Sequence, residues 1–253
     1  EVILYGDVYD DAYEYAMKLA DERHLTFIHP FDDLDVATGQ GTIAMEIVQE
    51  LPTVDYILVP VGGGGLVTGV STLAKMLNPK IKVIGVEPKN AASMTEALKN
   101  DGPVTLPSAN TIADGTAVKR VGTKIFPYCK ENIAQMLTVD DSRLIGAFLN
   151  MVENHKMIVE NSGLLPVAAL DQLDLKGKKA VLVLSGGNMD VITMSSVVQH
   201  GLIQQDRIFT VSVLLPDKAG ELVKVAAAIA DQNGNVIKLE HNQFVSINRN
   251  ASV

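Results

Sequence analysis

An apolar run, four consecutive glycines and a helical pattern follow one another between residues 56 and 77. The run Tyr56-Ile57-Leu58-Val59 is typical of a strand that is buried on both faces of a parallel sheet. Gly62–Gly65 come next, and apolar residues at helical spacing begin at Leu66. Glycine loses more backbone entropy on folding than any other residue, so four in a row suit a place where something approaches the backbone closely. Because free N–H groups at the start of a helix attract anions, the segment predicts a phosphate site.

The alternation of apolar strands with helices extends over most of the chain. Strands are predicted at 2–5, 25–28, 55–59, 81–86 and 179–184. Helices are predicted at 42–51, 66–77, 141–157 and 162–173, with one more between the first two strands. Residues 103–122 are predicted to be irregular. Strands that are apolar throughout and separated by helices indicate an α/β fold built on a parallel sheet.

A second strand–helix–strand pattern begins after residue 206. Residues 207–214 predict a strand. A helix that ends before Gly234 follows, and a further strand starts at Asn235; the inward face of the helix is predicted to carry Leu222, Val225, Ala226 and Ile229. The pattern restarts after the polar segment 200–206, so we predict a domain boundary near residue 203.

Composition and charge exclude several classes of protein. The 253 residues carry a formal net charge of −9, which argues against nucleic acid or an anionic membrane as a partner. No apolar run reaches the length of a membrane span. The single cysteine, Cys129, rules out an internal disulfide and a site with several cysteine ligands, and it favours a reducing compartment such as the cytoplasm.

A second glycine turn follows the predicted strand at 179–184, where the chain reads Ser185-Gly186-Gly187-Asn188. Ligands of open α/β sheets bind at the carboxyl ends of the strands, so we expect this turn beside Gly62–Gly65. The glycines alone leave nucleotides, flavins, pyridoxal phosphate and tight packing open. They are not a P-loop, since no Gly-Lys-Ser/Thr follows, and Val67 breaks the dinucleotide pattern.

Four motifs in a fixed order make the chain resemble a known family. They are Val59-Pro60-Val61-Gly62-Gly63-Gly64-Gly65-Leu66, Ile84-Gly85-Val86-Glu87-Pro88, Ala113-Asp114-Gly115 and Leu184-Ser185-Gly186-Gly187-Asn188. Together they resemble the fold type II pyridoxal-phosphate enzymes, in particular the group of threonine dehydratase (threonine ammonia-lyase), serine dehydratase and serine racemase. The resemblance covers about residues 1–200. Residues 207–253 resemble the first part of an ACT domain, with Asp217-Lys218-Ala219-Gly220-Glu221-Leu222 at its turn.

The resemblance implies a fold and a division into domains. It implies a fold type II parallel sheet with helices on both faces, followed by a partial α+β, ferredoxin-like ACT unit. Residues 1–32 would be the last piece of a small substrate domain, residues 33–202 an incomplete large cofactor domain, and residues 203–253 the partial regulatory domain.

The resemblance also implies an activity. A lyase of this kind uses pyridoxal 5′-phosphate to eliminate and deaminate L-threonine, and L-serine, to 2-oxobutanoate (from threonine) and ammonia, a step of isoleucine biosynthesis. The alternatives are serine dehydratase, serine racemase and, from another class, a noncatalytic amino-acid-sensing ACT module. An allosteric effector such as isoleucine or valine, a homo-dimer or homo-tetramer, and a cytoplasmic location are further implications.

Residue roles carry over at matching positions only. The backbone amides of Gly62, Gly63, Gly64, Gly65 and Leu66 would hold the cofactor phosphate, and Ser185 would hydrogen-bond the pyridine nitrogen. A neutral hydroxyl does not hold that nitrogen protonated, which should favour β-elimination over transamination. Glu160 matches a family glutamate near the cofactor.

A metal and a catalytic lysine are not expected in this chain. The metal ligands of the racemases correspond to Glu87, Ala91 and Ser93; serine is a poor ligand for a hard cation, so we expect Glu87 to be a surface acid at a strand end. The resemblance places the Schiff-base lysine upstream of residue 1. Lys18, Lys75, Lys80 and Lys82 are expected in solvent, and the chain alone is expected to be inactive.

Overall fold

The computed structural model describes residues 1–6, 9–240 and 250–252. The chain divides into two compact units, Glu1–Gly201 and Leu202–Val253. The assignment of these stretches to a substrate, a cofactor and a regulatory domain remains a prediction. No helix in the described stretches is long and apolar enough to cross a bilayer.

The first unit alternates helices and strands. Its helices are α1 (Tyr9–Glu22), α2 (Leu34–Glu50), α3 (Gly65–Leu77), α4 (Ser93–Lys99), α5 (Phe126–Asn132), α6 (Asp141–Asn150), α7 (Leu165–Ala168) and α8 (Val191–Gln204), the last of which runs past the division. Its strands are β1 (Tyr56–Pro60), β2 (Lys82–Pro88), β3 (Ile133–Val139) and β4 (Ala180–Leu182).

The four strands form one parallel sheet in the order β3-β2-β1-β4. Ile57 pairs with Val83 on one side of β1 and with Val181 on the other. Strand β1 is therefore central, and its residues 57–60 are buried. A run of apolar residues without polar interruption is what a strand covered on both faces requires.

Helices cover both faces of the sheet, as predicted. Ile57 and Val59 point into one core, which they share with α2, α3 and α5. Leu58 points into the other, which it shares with α6, α7 and Val197 of α8. Successive residues of a strand face opposite sides, so a single strand supplies both cores.

Helices α2 and α3 approach each other closely through small residues. A Cβ placed on Gly69 would overlap the carbonyl oxygen of Ala37 and would lie 2.6 Å from the backbone nitrogen of Gly41. Asp33 caps the start of α2, accepting hydrogen bonds from the N–H groups of Asp35 and Val36. This packing fixes the direction in which α3 leaves the glycine loop.

Several sequence predictions about the first unit are wrong. Residues 2–5 and 25–28 form no strand; Val2 and Leu4 are 89% and 93% exposed, and neither segment pairs with a described strand. Helix α2 begins eight residues before the predicted start, at Leu34. The helix predicted at 162–173 is broken into short turns around α7, whose first turn contains Pro166. The sequence did not predict helices α4, α5 and α8 or strand β3.

The second unit is described by β5 (Leu214–Pro216), α9 (Glu221–Asp231) and β6 (Asn250–Ser252), with β5 and β6 antiparallel. The strand predicted at 207–214 is largely wrong, because the observed strand Leu214–Pro216 overlaps it at Leu214 alone. The strand predicted from Asn235 does not form through residue 240, and its continuation lies outside the described residues. The ACT-like identity of this unit remains a prediction.

Candidate functional site

The two predicted glycine turns lie at neighbouring strand ends. Residues 61–64 follow β1 and residues 183–188 follow β4, and these two parallel strands are paired. From β1 the chain proceeds outward through β2 to β3, and then returns to β4 on the opposite side of β1. Ligands of open α/β sheets bind where the strand order reverses in this way. The crevice between the ends of β1 and β4 is therefore the candidate site.

The carbonyl groups of the glycine loop are held by hydrogen bonds. Gly122 donates its N–H to the oxygen of Gly63 at 3.0 Å. Thr68 donates its N–H at 3.0 Å and its Oγ1 hydroxyl at 2.7 Å to the oxygen of Gly64. Gly64 is the N-cap of α3 with a φ of 103°, a left-handed conformation that glycine adopts without strain. The carbonyls are thus engaged inside the protein.

The N–H groups of the same loop have no acceptor among the residues that the structure describes. Within the described part of the chain, Gly62, Gly63, Gly64, Gly65 and Leu66 donate no hydrogen bond, although residues 63–65 are buried. Buried N–H groups are almost always paired in folded proteins, and the start of a helix adds a partial positive charge. A phosphate supplies the acceptors that this loop lacks, so the residues present fit a phosphorylated cofactor.

Tight packing also explains the glycines. A Cβ on Gly63 would overlap the ring of Phe31, and one on Gly65 would lie 2.9 Å from the Cα and carbonyl oxygen of Phe31. A Cβ on Gly64 would lie 2.6 Å from Cδ1 of Ile125. Close packing, one of the interpretations that the sequence left open, therefore applies to these glycines, and the phosphate interpretation stays a prediction for the same residues.

A buried thiol lies beneath the loop. Cys129 is fully buried and its Sγ is 3.0 Å from Oγ1 of Thr68. Burial raises the pKa of this thiol to about 12. Cys129 is therefore a packing residue that supports the start of α3 and not a nucleophile at neutral pH.

Ser185 is half-buried at the second strand end, and its hydroxyl makes no hydrogen bond with any described residue. A Cβ on Gly163 would overlap the carbonyl oxygen of Ser185, so the turn at 161–164 supports this loop from behind. Gly186 has a φ of 87°, another left-handed position. The Ser185 hydroxyl is thus free to donate a hydrogen bond to a ligand.

Glu160 is joined to this second loop. Its N–H donates to the oxygen of Gly186 at 3.3 Å, and its Oε2 accepts from the N–H of Asn188 at 3.2 Å. A Cβ on Gly115 would lie 3.0 Å from Oε1 of the same carboxylate. The structure therefore brings Glu160 into the loop that carries Ser185.

The Ala113-Asp114-Gly115 turn lies between the two loops. A Cβ on Gly62 would lie 3.0 Å from Cα of Thr116 and 3.4 Å from the oxygen of Gly115. On its other side the turn contacts Glu160, as described above. One short 3-10 turn, Asp114–Thr116, thus connects the glycine loop with the Ser185 loop.

Glu87 is not the surface acid that the sequence predicts. It is fully buried, because α4 covers the end of β2, and its carboxylate accepts hydrogen bonds from the N–H of Met94 at 2.6 Å and of Thr95 at 2.9 Å. Burial raises the pKa of Glu87 to about 7, against these hydrogen bonds, which lower it. Within the described chain, no three His, Cys, Asp or Glu side chains lie together in a way that could hold a metal ion. Glu87 here anchors α4.

Every lysine of the chain lies in its described part and is exposed. They include the four lysines that the sequence predicts to lie in solvent, Lys18, Lys75, Lys80 and Lys82. Lys75 donates a hydrogen bond to the backbone oxygen of Glu131. Lys82 lies 5.7 Å from the centre of the Tyr56 ring, at the amino-terminal ends of strands β2 and β1.

Sequence reasoning missed the residues that pack on the glycine loop. Phe31 and Asp32 precede α2, and Gly122 and Ile125 precede α5. No local pattern marks them, because their role depends on contacts between segments that are distant in the sequence, such as the one between Asp32 and Lys124.

Comparison with known proteins identifies the family and several relatives. A family model described as pyridoxal-phosphate dependent enzyme matches residues 1–186. The L-threonine ammonia-lyase of Thermotoga maritima is 38% identical over 244 residues, which are 96% of this chain and 61% of that protein. The chain thus spans about three fifths of the length of the curated relatives it matches.

Solved structures give the same picture. The processed form of threonine deaminase isoform 2 from Solanum lycopersicum superposes with a TM-score of 0.74 at 37% identity, over 78% of this chain and 59% of that one. Maize serine racemase superposes with a TM-score of 0.72 at 30% identity, over 81% of this chain and 64% of that one.

Proposed function

Because the chain belongs to the pyridoxal-phosphate dependent enzymes, we propose that its glycine loop, residues 62–66, holds the phosphate of pyridoxal 5′-phosphate. The observation that carries this proposal is the set of buried N–H groups at residues 63–65 that have no acceptor within the described chain. The carbonyls of Gly63 and Gly64 already accept hydrogen bonds from Gly122 and Thr68, so at these two residues the N–H groups are what the loop offers a ligand. A doubly charged anion suits such a loop.

We propose that the Ser185 hydroxyl donates a hydrogen bond to the ring nitrogen of the cofactor. When bound, pyridoxal phosphate supplies an electron sink for a carbanion formed at the substrate α-carbon. A serine hydroxyl leaves the ring nitrogen unprotonated, which limits that sink and favours loss of a β-substituent over transamination. Glu160, bonded to the N–H of Asn188, orients the loop that carries Ser185.

For the whole protein we propose the elimination and deamination of L-threonine, with L-serine as a second substrate, to 2-oxo acids and ammonia. Its support is the similarity to relatives such as the L-threonine ammonia-lyase of Thermotoga maritima, of whose length this chain covers 61%. Serine racemase is the second candidate, and the maize structure favours it as an alternative.

We also propose that residues 203–253 are a partial ACT-like unit responding to isoleucine or valine in a cytoplasmic homo-oligomer. The motif Asp217–Leu222 leading into α9 supports the first part. The presence of a single cysteine, Cys129, in the 253 residues supports a reducing compartment.

The cradle is tested by calorimetry with pyridoxamine 5′-phosphate, which cannot react with lysines. We expect the 253-residue chain to bind it and to bind pyridoxamine, which lacks the phosphate, at least tenfold more weakly. Inorganic phosphate should compete. Equal affinity for the two amines would reject the cradle.

The whole activity is tested on the polypeptide as its gene encodes it. Threonine-dependent release of 2-oxobutanoate supports the ammonia-lyase, whereas conversion of L-serine to D-serine without it supports the racemase.

A further inference from the structure

The side chain of Asp32 joins two segments that are distant in the sequence. Its Oδ1 accepts hydrogen bonds from the N–H of Lys124 at 2.7 Å and from the N–H of Ile125 at 3.3 Å. A Cβ on Gly122 would lie 2.5 Å from the same oxygen, so the backbone of Gly122 passes directly against the carboxylate. Asp32 thereby fixes the course of residues 122–125 in front of α5.

The segment held by Asp32 in turn holds the glycine loop. Gly122 donates its N–H to the carbonyl oxygen of Gly63 at 3.0 Å. In a trans peptide, the carbonyl of residue 63 and the N–H of Gly64 belong to one plane and point in opposite directions. Anchoring the oxygen of Gly63 therefore directs the N–H of Gly64 away from Gly122 and toward the face where acceptors are absent.

The residue before Asp32 acts on the same loop from the other side. The ring of Phe31 packs on Gly63, and its backbone packs on Gly65. His29 stabilises this turn, because its Nδ1 accepts hydrogen bonds from the N–H of Asp32 at 2.9 Å and of Phe31 at 3.3 Å. The turn 29–32 is thus a compact unit whose side chains contact both the loop and its support.

We propose that Asp32 is a positioning residue for the phosphate cradle, acting through Gly122 and Gly63 and without touching the ligand. The proposal rests on the assignment of residues 62–66 as a phosphate site. Its role is to accept hydrogen bonds, so an uncharged acceptor of the same shape should replace it.

The test compares three variants with the unaltered 253-residue chain. Asp32→Ala removes the acceptor, Asp32→Asn keeps Oδ1, and Asp33→Ala is the matched control. Asp33 is the adjacent carboxylate and caps α2 through the N–H groups of Asp35 and Val36, with no bond to residues 122–125. Both alanine variants lose two hydrogen bonds from backbone N–H groups, so they are matched in chemistry and differ in location.

The first readout is the affinity for pyridoxamine 5′-phosphate. We expect Asp32→Ala to bind about tenfold more weakly, the order of effect of losing hydrogen bonds to a carboxylate. Asp32→Asn and Asp33→Ala should stay within about twofold of the unaltered chain, because the cradle keeps its support in both. Equal affinities of Asp32→Ala and Asp33→Ala would overturn the proposal.

The second readout needs no ligand. Amide hydrogen exchange of residues 62–66 should be faster in Asp32→Ala than in Asp33→Ala, because the loop loses its anchor in the first variant alone. If the unaltered chain fails to bind pyridoxamine 5′-phosphate, the assignment of residues 62–66 as a phosphate site fails. Amide hydrogen exchange still decides whether Asp32 orders the loop. Unchanged exchange would overturn the anchoring role. If Asp32→Ala does not fold, Asp32→Ser is tested in its place. The serine hydroxyl lies one bond closer to the backbone than Oδ1 and falls short of the N–H groups of Lys124 and Ile125, so we expect the same results.

Discussion

Gly63 must be glycine because of one neighbouring ring. Its φ lies outside the left-handed region, so an alanine would suit its backbone, but a Cβ there would overlap the ring of Phe31. We expect Gly63→Ala to lower the free energy of unfolding by about 2 kcal/mol, as overpacking does, and to weaken binding of pyridoxamine 5′-phosphate. Urea denaturation and calorimetry measure the two effects.

A second substitution separates steric conflict from loss of backbone freedom. Adding Phe31→Ala to Gly63→Ala should recover stability relative to the sum of the two single variants, because the overlap disappears. Gly39→Ala is the control: nothing lies within 4 Å of a Cβ there, and the helix α2 should gain about 0.5 kcal/mol. Additive effects of the substitutions at 31 and 63 would contradict the explanation.

Glu87 gives stability a distinctive dependence on pH. Burial raises the pKa of Glu87 from its ordinary 4.5 to about 7. The folded state then holds the proton more tightly than the unfolded state, so the contribution of Glu87 to stability is complete below pH 4.5 and is lost as the pH rises through 7. Burial also lowers the pKa of His29, which makes stability depend on pH in the opposite direction. The effect of Glu87 must therefore be measured by comparing variants.

We therefore expect the unaltered chain to lose, between pH 4.5 and 7.5, on the order of 2 kcal/mol of unfolding free energy relative to Glu87→Gln. Urea denaturation at several pH values measures this difference, in which the effect of His29 cancels. Glu46→Gln, at an exposed glutamate of α2, should leave the curve of the unaltered chain in place. Parallel curves for Glu87→Gln and the unaltered chain would contradict the assignment.

The sequence located residues that are marked by a local motif and missed those defined by distant contacts. Gly62–Gly65 and Ser185 follow buried strands, so the rule that ligands gather at strand ends was enough to place them together. Asp32 binds residues 124 and 125 across more than ninety positions, and no local pattern reveals that pairing. Glu87 was misjudged because its burial depends on α4 folding back over β2.

At the scale of elements, the contact between α2 and α3 sets the geometry of the cradle. Gly69 lies against Ala37 and Gly41 with no room for a methyl group. We expect Gly69→Ala to lower the unfolding free energy by about 3 kcal/mol, because the obstructing atoms belong to the backbone of α2 and cannot move aside alone. Thermal and urea unfolding measure the loss.

The control for this prediction is another helical glycine. Nothing lies within 4 Å of a Cβ on Gly146 of α6, so Gly146→Ala should stabilise the chain by about 0.5 to 1 kcal/mol. Substitutions of one chemical kind should thus act in opposite directions. Similar effects at Gly69 and Gly146 would show that the spacing of α2 and α3 is not limiting.

Strands that are apolar along their whole length were predicted well, and elements that mix apolar and polar residues were not. Strands β1 and β2 lie within two residues of their predicted bounds because both are buried on two faces. Strand β3 is at the edge of the sheet and carries exposed residues such as Gln135, so it lacks that signal. Residues 2–5 have the signal and form no strand, because a strand also needs a partner.

At the scale of the whole molecule, the order of the strands brings the site together. The chain builds β1, β2 and β3 outward and then crosses back, and that return places Ser185 beside the glycine loop. Residues 62 to 66 present N–H groups without an acceptor among the described residues, and residues 160 to 188 carry the Ser185 hydroxyl and its support. A cofactor with a phosphate and a ring nitrogen would be held at both ends by loops from adjacent strands.

The same arrangement predicts how the chain reacts with pyridoxal phosphate. Because every lysine is exposed, we expect reduction with borohydride to attach the cofactor to many lysines at low occupancy, with none suppressed by excess pyridoxamine 5′-phosphate. Peptide mass spectrometry measures the occupancy of each lysine. Lys82 serves as the internal control, because it lies at the amino-terminal end of β2 and the glycine loop follows the carboxyl end of β1. Threonine should yield no 2-oxobutanoate in the same samples. One result would contradict this expectation: a single lysine that is labelled almost completely and whose labelling is suppressed by pyridoxamine 5′-phosphate. It would place a catalytic lysine within residues 1–253.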